Sequence, residues 1–101
     1  MNLGLSVLDE LELQKISAIF GALGNSTRLK IVETVSQTER PLHIRALAQA
    51  LEKDYAAIYR HVRVLAESGV VGVYEVGRSR VIYLKNANIV KECIGIAKKM
   101  L

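Results

Sequence analysis

The chain has 101 residues, of which 50% are hydrophobic, 24% charged and 5% aromatic, with seven Gly, one Pro and one Cys. That length suits one domain with its own core, and the composition excludes an intrinsically disordered chain, a Pro- or Gly-rich linker and a disulfide-stapled scaffold. Fourteen Lys and Arg against ten Asp and Glu leave a formal charge of +4, and no apolar run approaches the ~18–20 residues that a membrane span needs.

Met1 to Leu8 has no basic n-region and leads into Asp9, Glu10 and Glu12, which does not read as a signal peptide, so a cytoplasmic location is expected. Leu13, Ile16, Phe20 and Leu23 recur at spacings of three and four and predict an amphipathic helix over 9–24, capped by Ser6 or Asp9 and ended by Gly24 and Asn25. A second helix is predicted from Ser26 or Thr27, with Leu29, Ile31, Val32 and Val35 as its apolar stripe. After the polar stretch Ser36 to Arg40, Pro41 suits the entry to a third helix, where Ile44, Leu47, Ala48 and Leu51 keep the helical spacing.

Glu52, Lys53 and Asp54 interrupt that pattern, and Asp54 is placed to cap a fourth helix over 55–68, ended by Gly69. The period then changes. Val70 to Val76 and Arg80 to Lys85 are rich in Val, Ile and Tyr, and Gly77-Arg78-Ser79 between them predicts a β-hairpin. Apolar residues occupy both alternations of these strands, so the pattern leaves the inward face open. Asn88 is expected to cap a last helix over 88–101, with Val90, Cys93, Ala97 and Met100 along one stripe and Ile94 beside it.

The expected fold is mainly α with a small β-hairpin: a single winged helix-turn-helix domain over 1–101, with 42–69 as the helix-turn-helix and 70–85 as the wing. On a helical wheel Ile58, Val62 and Leu65 share one face of the fourth helix, while Ala56, Arg60, Arg63 and Glu67 lie opposite, flanked by Tyr59. Small, cationic and hydrogen-bonding side chains on one outward face suit a helix that enters the major groove of double-stranded DNA. Tyr55 and Tyr59 can donate to phosphate, and Lys53 stands just before the helix. At the hairpin tip, 76–81, Arg78, Ser79 and Arg80 suit the negative potential of a narrow minor groove. The charge distribution agrees: from Arg40 to Lys85 eight basic residues stand against Glu52, Asp54, Glu67 and Glu75.

Gly21-Ala22-Leu23-Gly24-Asn25-Ser26-Thr27-Arg28-Leu29-Lys30-Ile31 resembles the opening signature of ArsR-type transcriptional regulators, the arsenical-resistance-repressor family. Ile58 to Leu65, followed by Ala66-Glu67-Ser68-Gly69-Val70-Val71, resembles that family's recognition helix and its exit. The resemblance covers roughly Leu13 to Leu84. It implies a DNA-binding transcriptional regulator, expected to be a repressor. Asn25-Ser26 departs from the family's usual Asp-Pro, and Arg28 is expected to be structural, paired with a nearby acidic residue. The family's thiolate site is a Cys-x-Cys pair at the third helix, where Leu42 to Leu47 has no Cys. Its other site uses Asp, His and Glu on the last helix, where Ile89 to Leu101 offers only Glu92 and Cys93. No metal, cofactor or effector is therefore assigned. His61 reads as a packed helix residue, and Cys93 as a small buried hydrophobe.

The long stripes on the terminal helices predict a homodimer through Leu13, Ile16, Phe20, Leu23, Val90, Cys93, Ile94, Ala97 and Met100, which would demand a pseudo-palindromic operator. Two other readings stay open: a sequence-tolerant architectural DNA binder, and a winged-helix module that binds protein. An enzyme is not expected, since no nucleophile–base pair, carboxylate pair or glycine-rich phosphate loop stands out.

Overall fold

The computed structural model describes residues 7–101, and the alternative cap Ser6 lies outside them. Helix α1 (Glu10–Leu23) starts with a capping box: the Asp9 carboxylate accepts from the Glu12 backbone at 2.8 Å, and the Glu12 carboxylate accepts from Asp9 N–H at 3.2 Å. Helix α2 (Ser26–Ser36) is capped by Asn25, whose side-chain oxygen accepts from Arg28 N–H at 3.0 Å. The departure from the family's Asp-Pro thus keeps a capping side chain at the first of the two positions.

Pro41 does not open a helix. The residues after it form a two-residue strand, β1 (Leu42–His43), and α3 (Ile44–Ala50) begins only then. A strand this short has no periodicity to read, and it exists because β3 supplies its partner. Helix α4 (Tyr55–Glu67) follows, capped by Asp54 through a 2.6 Å bond from Ala57 N–H. Strands β2 (Val71–Val76) and β3 (Ser79–Leu84) form the hairpin, and α5 (Ala87–Lys98) ends the order. The sheet runs β1-β3-β2 and is antiparallel throughout.

Two helix ends share one mechanism. At the end of α4, Val70 N–H reaches Leu65 C=O and Gly69 N–H reaches Ala66 C=O, both at 3.1 Å, with Gly69 at φ +85°. This is a Schellman closure with glycine at its left-handed position. At the end of α3, Lys53 N–H reaches Ala48 C=O and Glu52 N–H reaches Gln49 C=O, but the left-handed residue is Glu52 at φ 54°. The turn between the two helices therefore has glycine geometry without glycine.

Ile31 and Val32 of α2, Ile44 and Leu47 of α3, Ile58, Val62 and Leu65 of α4, and Val71 and Ile82 of the sheet are fully buried. Truncating one of these to Ala costs about 2–5 kcal/mol in a packed core. Leu29, expected in this core, is 40% exposed. At 100° per residue it sits about 110° round the helix from the face centred on Ile31, Val32 and Val35. The last helix also differs: Asn86 holds the cap position without a side-chain bond, and Asn88 lies within the first turn. The hairpin turn is shorter than expected, because Ser79 pairs with Val76 and only Gly77 and Arg78 form the loop. Gly77 is at φ +61° and Arg78 is not left-handed, the pattern of a type II′ turn.

Candidate nucleic-acid interface

Helix α4 is anchored by Ile58, Val62 and Leu65, which have no exposed surface. A helix fixed along one edge must present the other, and Ala56, Arg60, Arg63 and Glu67 are all exposed there. Arg63 and Glu67 lie 3.7 Å apart across one turn, a solvent-screened pair worth a few tenths of a kcal/mol. Lys53 is exposed just before the helix. Tyr55 and Tyr59 are half-buried against the core, with rings stacked at 6.0 Å and 16°.

The wing lies beside this helix. Arg78, Ser79 and Arg80 line one open groove with Tyr55 of α4 and with Arg45 and Gln49 of α3. Those two α3 residues were not singled out from the sequence. Arg45 was visible only as part of the basic segment, and no helical pattern says that α3 faces the wing. The three wing residues are not equivalent. Arg78 and Ser79 are exposed at the turn, whereas Arg80 leans back, its guanidinium carbon 4.4 Å from the centre of the Tyr59 ring. The neighbouring Tyr55 side chain first, then Tyr59 and Glu75, raise the affinity of the guanidinium for its proton.

Among the described residues Arg28 has no acidic partner, contrary to expectation, and bonds to carbonyls and an imidazole instead. Its Nε donates to Ala22 C=O at 2.6 Å, a carbonyl at the open end of α1, and its Nη2 to Gly21 C=O at 3.3 Å, which also accepts from Gly24 N–H at 3.2 Å. Its Nη1 donates to His61 Nδ1 at 3.2 Å. A guanidinium has no acceptor, so His61 must be neutral with its proton on Nε2. Burial first, then Arg28, Arg60 and Lys53, lower the pKa of His61 below 6.5.

The residues expected at a dimer interface divide into two groups. Leu13, Phe20 and Met100 are 45%, 68% and 82% exposed, and Cys93 and Ala97 are exposed beside them. Val90 is buried in the chain's own core, and Leu23 and Ile94 pack against that core, with Ile16 half-buried. The reason is rotational: α5 docks through Val90 and Ile94, one turn apart, and so turns Ile89, Cys93, Ile96 and Met100 outward at spacings of four, three and four. Cys93, expected to be buried, is therefore exposed in the single chain. Among the described residues no helix is long and apolar enough to cross a membrane, and no three His, Cys, Asp or Glu side chains are grouped to hold a metal ion.

Residues 25–90 match the model of the HVO_A0114 family. Solved structures carry the same fold. A homodimeric winged helix-turn-helix DNA-binding domain from Mycobacterium bovis, a possible ArsR-family transcriptional regulator, is 19% identical, with a TM-score of 0.82 over 98% of this chain and 93% of that one. An ArsR-like transcriptional regulator from Rhodococcus is 22% identical, with a TM-score of 0.68 over 90% and 82%. A transcriptional regulator homologue from Pyrococcus horikoshii is 23% identical, with a TM-score of 0.70 over 86% and 93%. The chain thus has the winged helix-turn-helix fold of ArsR-type regulators, as the sequence motifs implied.

Proposed function

The chain belongs to the HVO_A0114 family, and from its fold and surface we propose that it is a sequence-specific DNA-binding transcriptional regulator, acting as a homodimeric repressor. The observation that carries this reading is the cationic outer face of α4. Arg60 and Arg63 are exposed on a helix whose opposite edge is immobilised in the core. An Arg on such a helix can fork to guanine or to phosphate, and Ala56 lets the backbone approach the bases. Lys53, Tyr55 and Tyr59 flank the same face and bind phosphate, while Arg78 and Ser79 meet the minor groove or its edges.

The dimer follows from the terminal helices. Leu13 and Phe20 of α1 and Cys93, Ala97 and Met100 of α5 form the outward seam, extended by Ile89 and Ile96, and such a seam buries itself best against a second copy. Two-fold symmetry then sets two recognition helices about 34–36 Å apart, in successive major grooves. The relative from Mycobacterium bovis is itself described as homodimeric and DNA-binding. This reading is of a binding protein of the cytoplasm, with double-stranded DNA and its own second copy as partners.

Selection of bound duplexes from a random pool tests the reading. Enrichment of an inverted repeat is expected. Tight binding with a flat pool would make the protein an architectural DNA binder, and no retention of any duplex would leave the protein-interaction module.

A further inference from the structure

Strand β3 is supported unevenly. Strand β1 pairs with it only at Ile82 and Val81, so the pairs Glu75–Arg80 and Val76–Ser79 belong to a two-stranded ribbon that projects beyond the sheet. Isolated ribbons of this kind are marginally stable in water. The wing tip carries Arg78, and its position relative to α4 depends on what ties that ribbon down.

Strand alternation supplies the tie. Val73 pairs with Ile82 and Glu75 with Arg80, so Arg80 projects from the same side of the sheet as the buried Ile82, toward α4. There its guanidinium lies 4.4 Å over the Tyr59 ring, and Tyr59 in turn stacks on Tyr55. Glu75, its cross-strand neighbour, adds a solvent-screened ion pair at 4.0 Å. Two aromatic rings and one cation thus form a continuous stack from the first turns of α4 to the base of the wing tip, with the Arg80 side chain 39% exposed.

We propose that Arg80 is a positioning residue for DNA readout, locking the wing to α4 so that Arg78 and Arg60 are presented at a fixed separation, and that it is not itself a phosphate contact. The proposal rests on the regulator reading above and reassigns one of its expected contacts. A loose wing must be ordered when DNA binds, and that entropic cost is removed when the wing is held beforehand. The lock therefore contributes affinity without neutralising a phosphate.

These two roles separate by salt dependence. A phosphate contact adds about 0.9 to the slope of log K against log salt, and a positioning residue adds nothing. Arg80→Ala, Arg80→Lys and Arg78→Ala are compared with the wild type on a duplex recovered by selection, and amide exchange at the wing tip is measured in the free proteins. Arg80→Ala is expected to speed exchange of the tip amides and to weaken binding about three- to tenfold at an unchanged salt slope. Arg80→Lys, with an ammonium still able to sit over Tyr59, is expected to recover part of both effects. Arg78→Ala is expected to lower the slope with no change in exchange.

A slope lowered by about 0.9 per protomer in Arg80→Ala, with exchange unaltered, would overturn the proposal in favour of a phosphate contact. Unchanged binding with unchanged exchange would overturn it as well. A wild-type chain that retains no duplex would refute the regulator reading first, on the wild type alone, and the proposal with it.

Discussion

Arg28 Nη1 and His61 Nδ1 meet at 3.2 Å, and through them the end of α1 is joined to α4. The same guanidinium holds the carbonyls of Gly21 and Ala22, so three helices converge on one side chain. Arg28→Ala leaves the Ala22 carbonyl and the imidazole without this donor, while Gly21 C=O keeps Gly24 N–H, and charged hydrogen bonds of this kind contribute about 1–3 kcal/mol together when part-exposed. A fall of that size in urea unfolding free energy is expected, and a change below 0.5 kcal/mol on the scale of ordinary surface substitutions would show the cluster to be incidental.

The sign of the pH dependence follows from the same contact. His61 has its pKa lowered from 6.5, by burial first and then by Arg28, Arg60 and Lys53. The unfolded chain therefore takes up the proton at a higher pH than the folded chain does. The stability associated with neutral His61 is complete above 6.5 and is lost as pH falls from there through the folded value. His61→Gln, whose amide oxygen still accepts from Arg28, is expected to flatten the wild-type decline between about pH 7 and pH 5. Parallel curves for the two proteins would remove His61 from the account.

Glu52 holds a left-handed conformation at φ 54° in the turn between α3 and α4. Glycine adopts it without steric cost, though it also gives the unfolded chain more freedom. Glu52→Gly is expected to raise unfolding free energy by about 0.5–1 kcal/mol, measured by denaturant midpoint at constant slope. A loss of stability would mean that the unfolded-state term dominates at this turn.

Arg60 is exposed opposite Ile58, Val62 and Leu65. If it forks to a base edge, Arg60→Ala costs about 1–3 kcal/mol on the preferred duplex and much less on random DNA. Competition titrations against both duplexes give the comparison. Equal losses on the two would make Arg60 a phosphate anchor, and Tyr59 the next residue to test for readout.

The dimer is tested best at the residues that the fold leaves outward. Phe20 is 68% and Ile96 57% exposed, so Phe20→Glu and Ile96→Glu spare the core. Sedimentation at micromolar concentration is expected to show the wild type at about twice its 11.2 kDa chain mass and both variants at the chain mass. Ile94 is a poorer probe, because it packs against the chain's own core. A wild type that sediments as a monomer would refute the seam.

Much of this was legible along the chain, because the determining interactions are local. Asp9 and Asp54 cap the helices they precede, and the spacing of Ile58, Val62 and Leu65 forecast which edge of α4 is buried, whereas Asn25, read as the end of α1, caps α2. Capping and helical periodicity need no knowledge of distant residues. What the pattern could not decide required a partner far away in sequence. Strand β1 exists because β3 lies beside it. Val90, rather than Cys93, faces inward because of where α5 meets the core. Both faces of the hairpin carry apolar residues, so only its pairing against the helices turns Arg80 toward Tyr59 and leaves Arg78 at the tip. A one-residue shift in register would exchange the two sides of the strand, which is why identical composition is compatible with either role for that arginine.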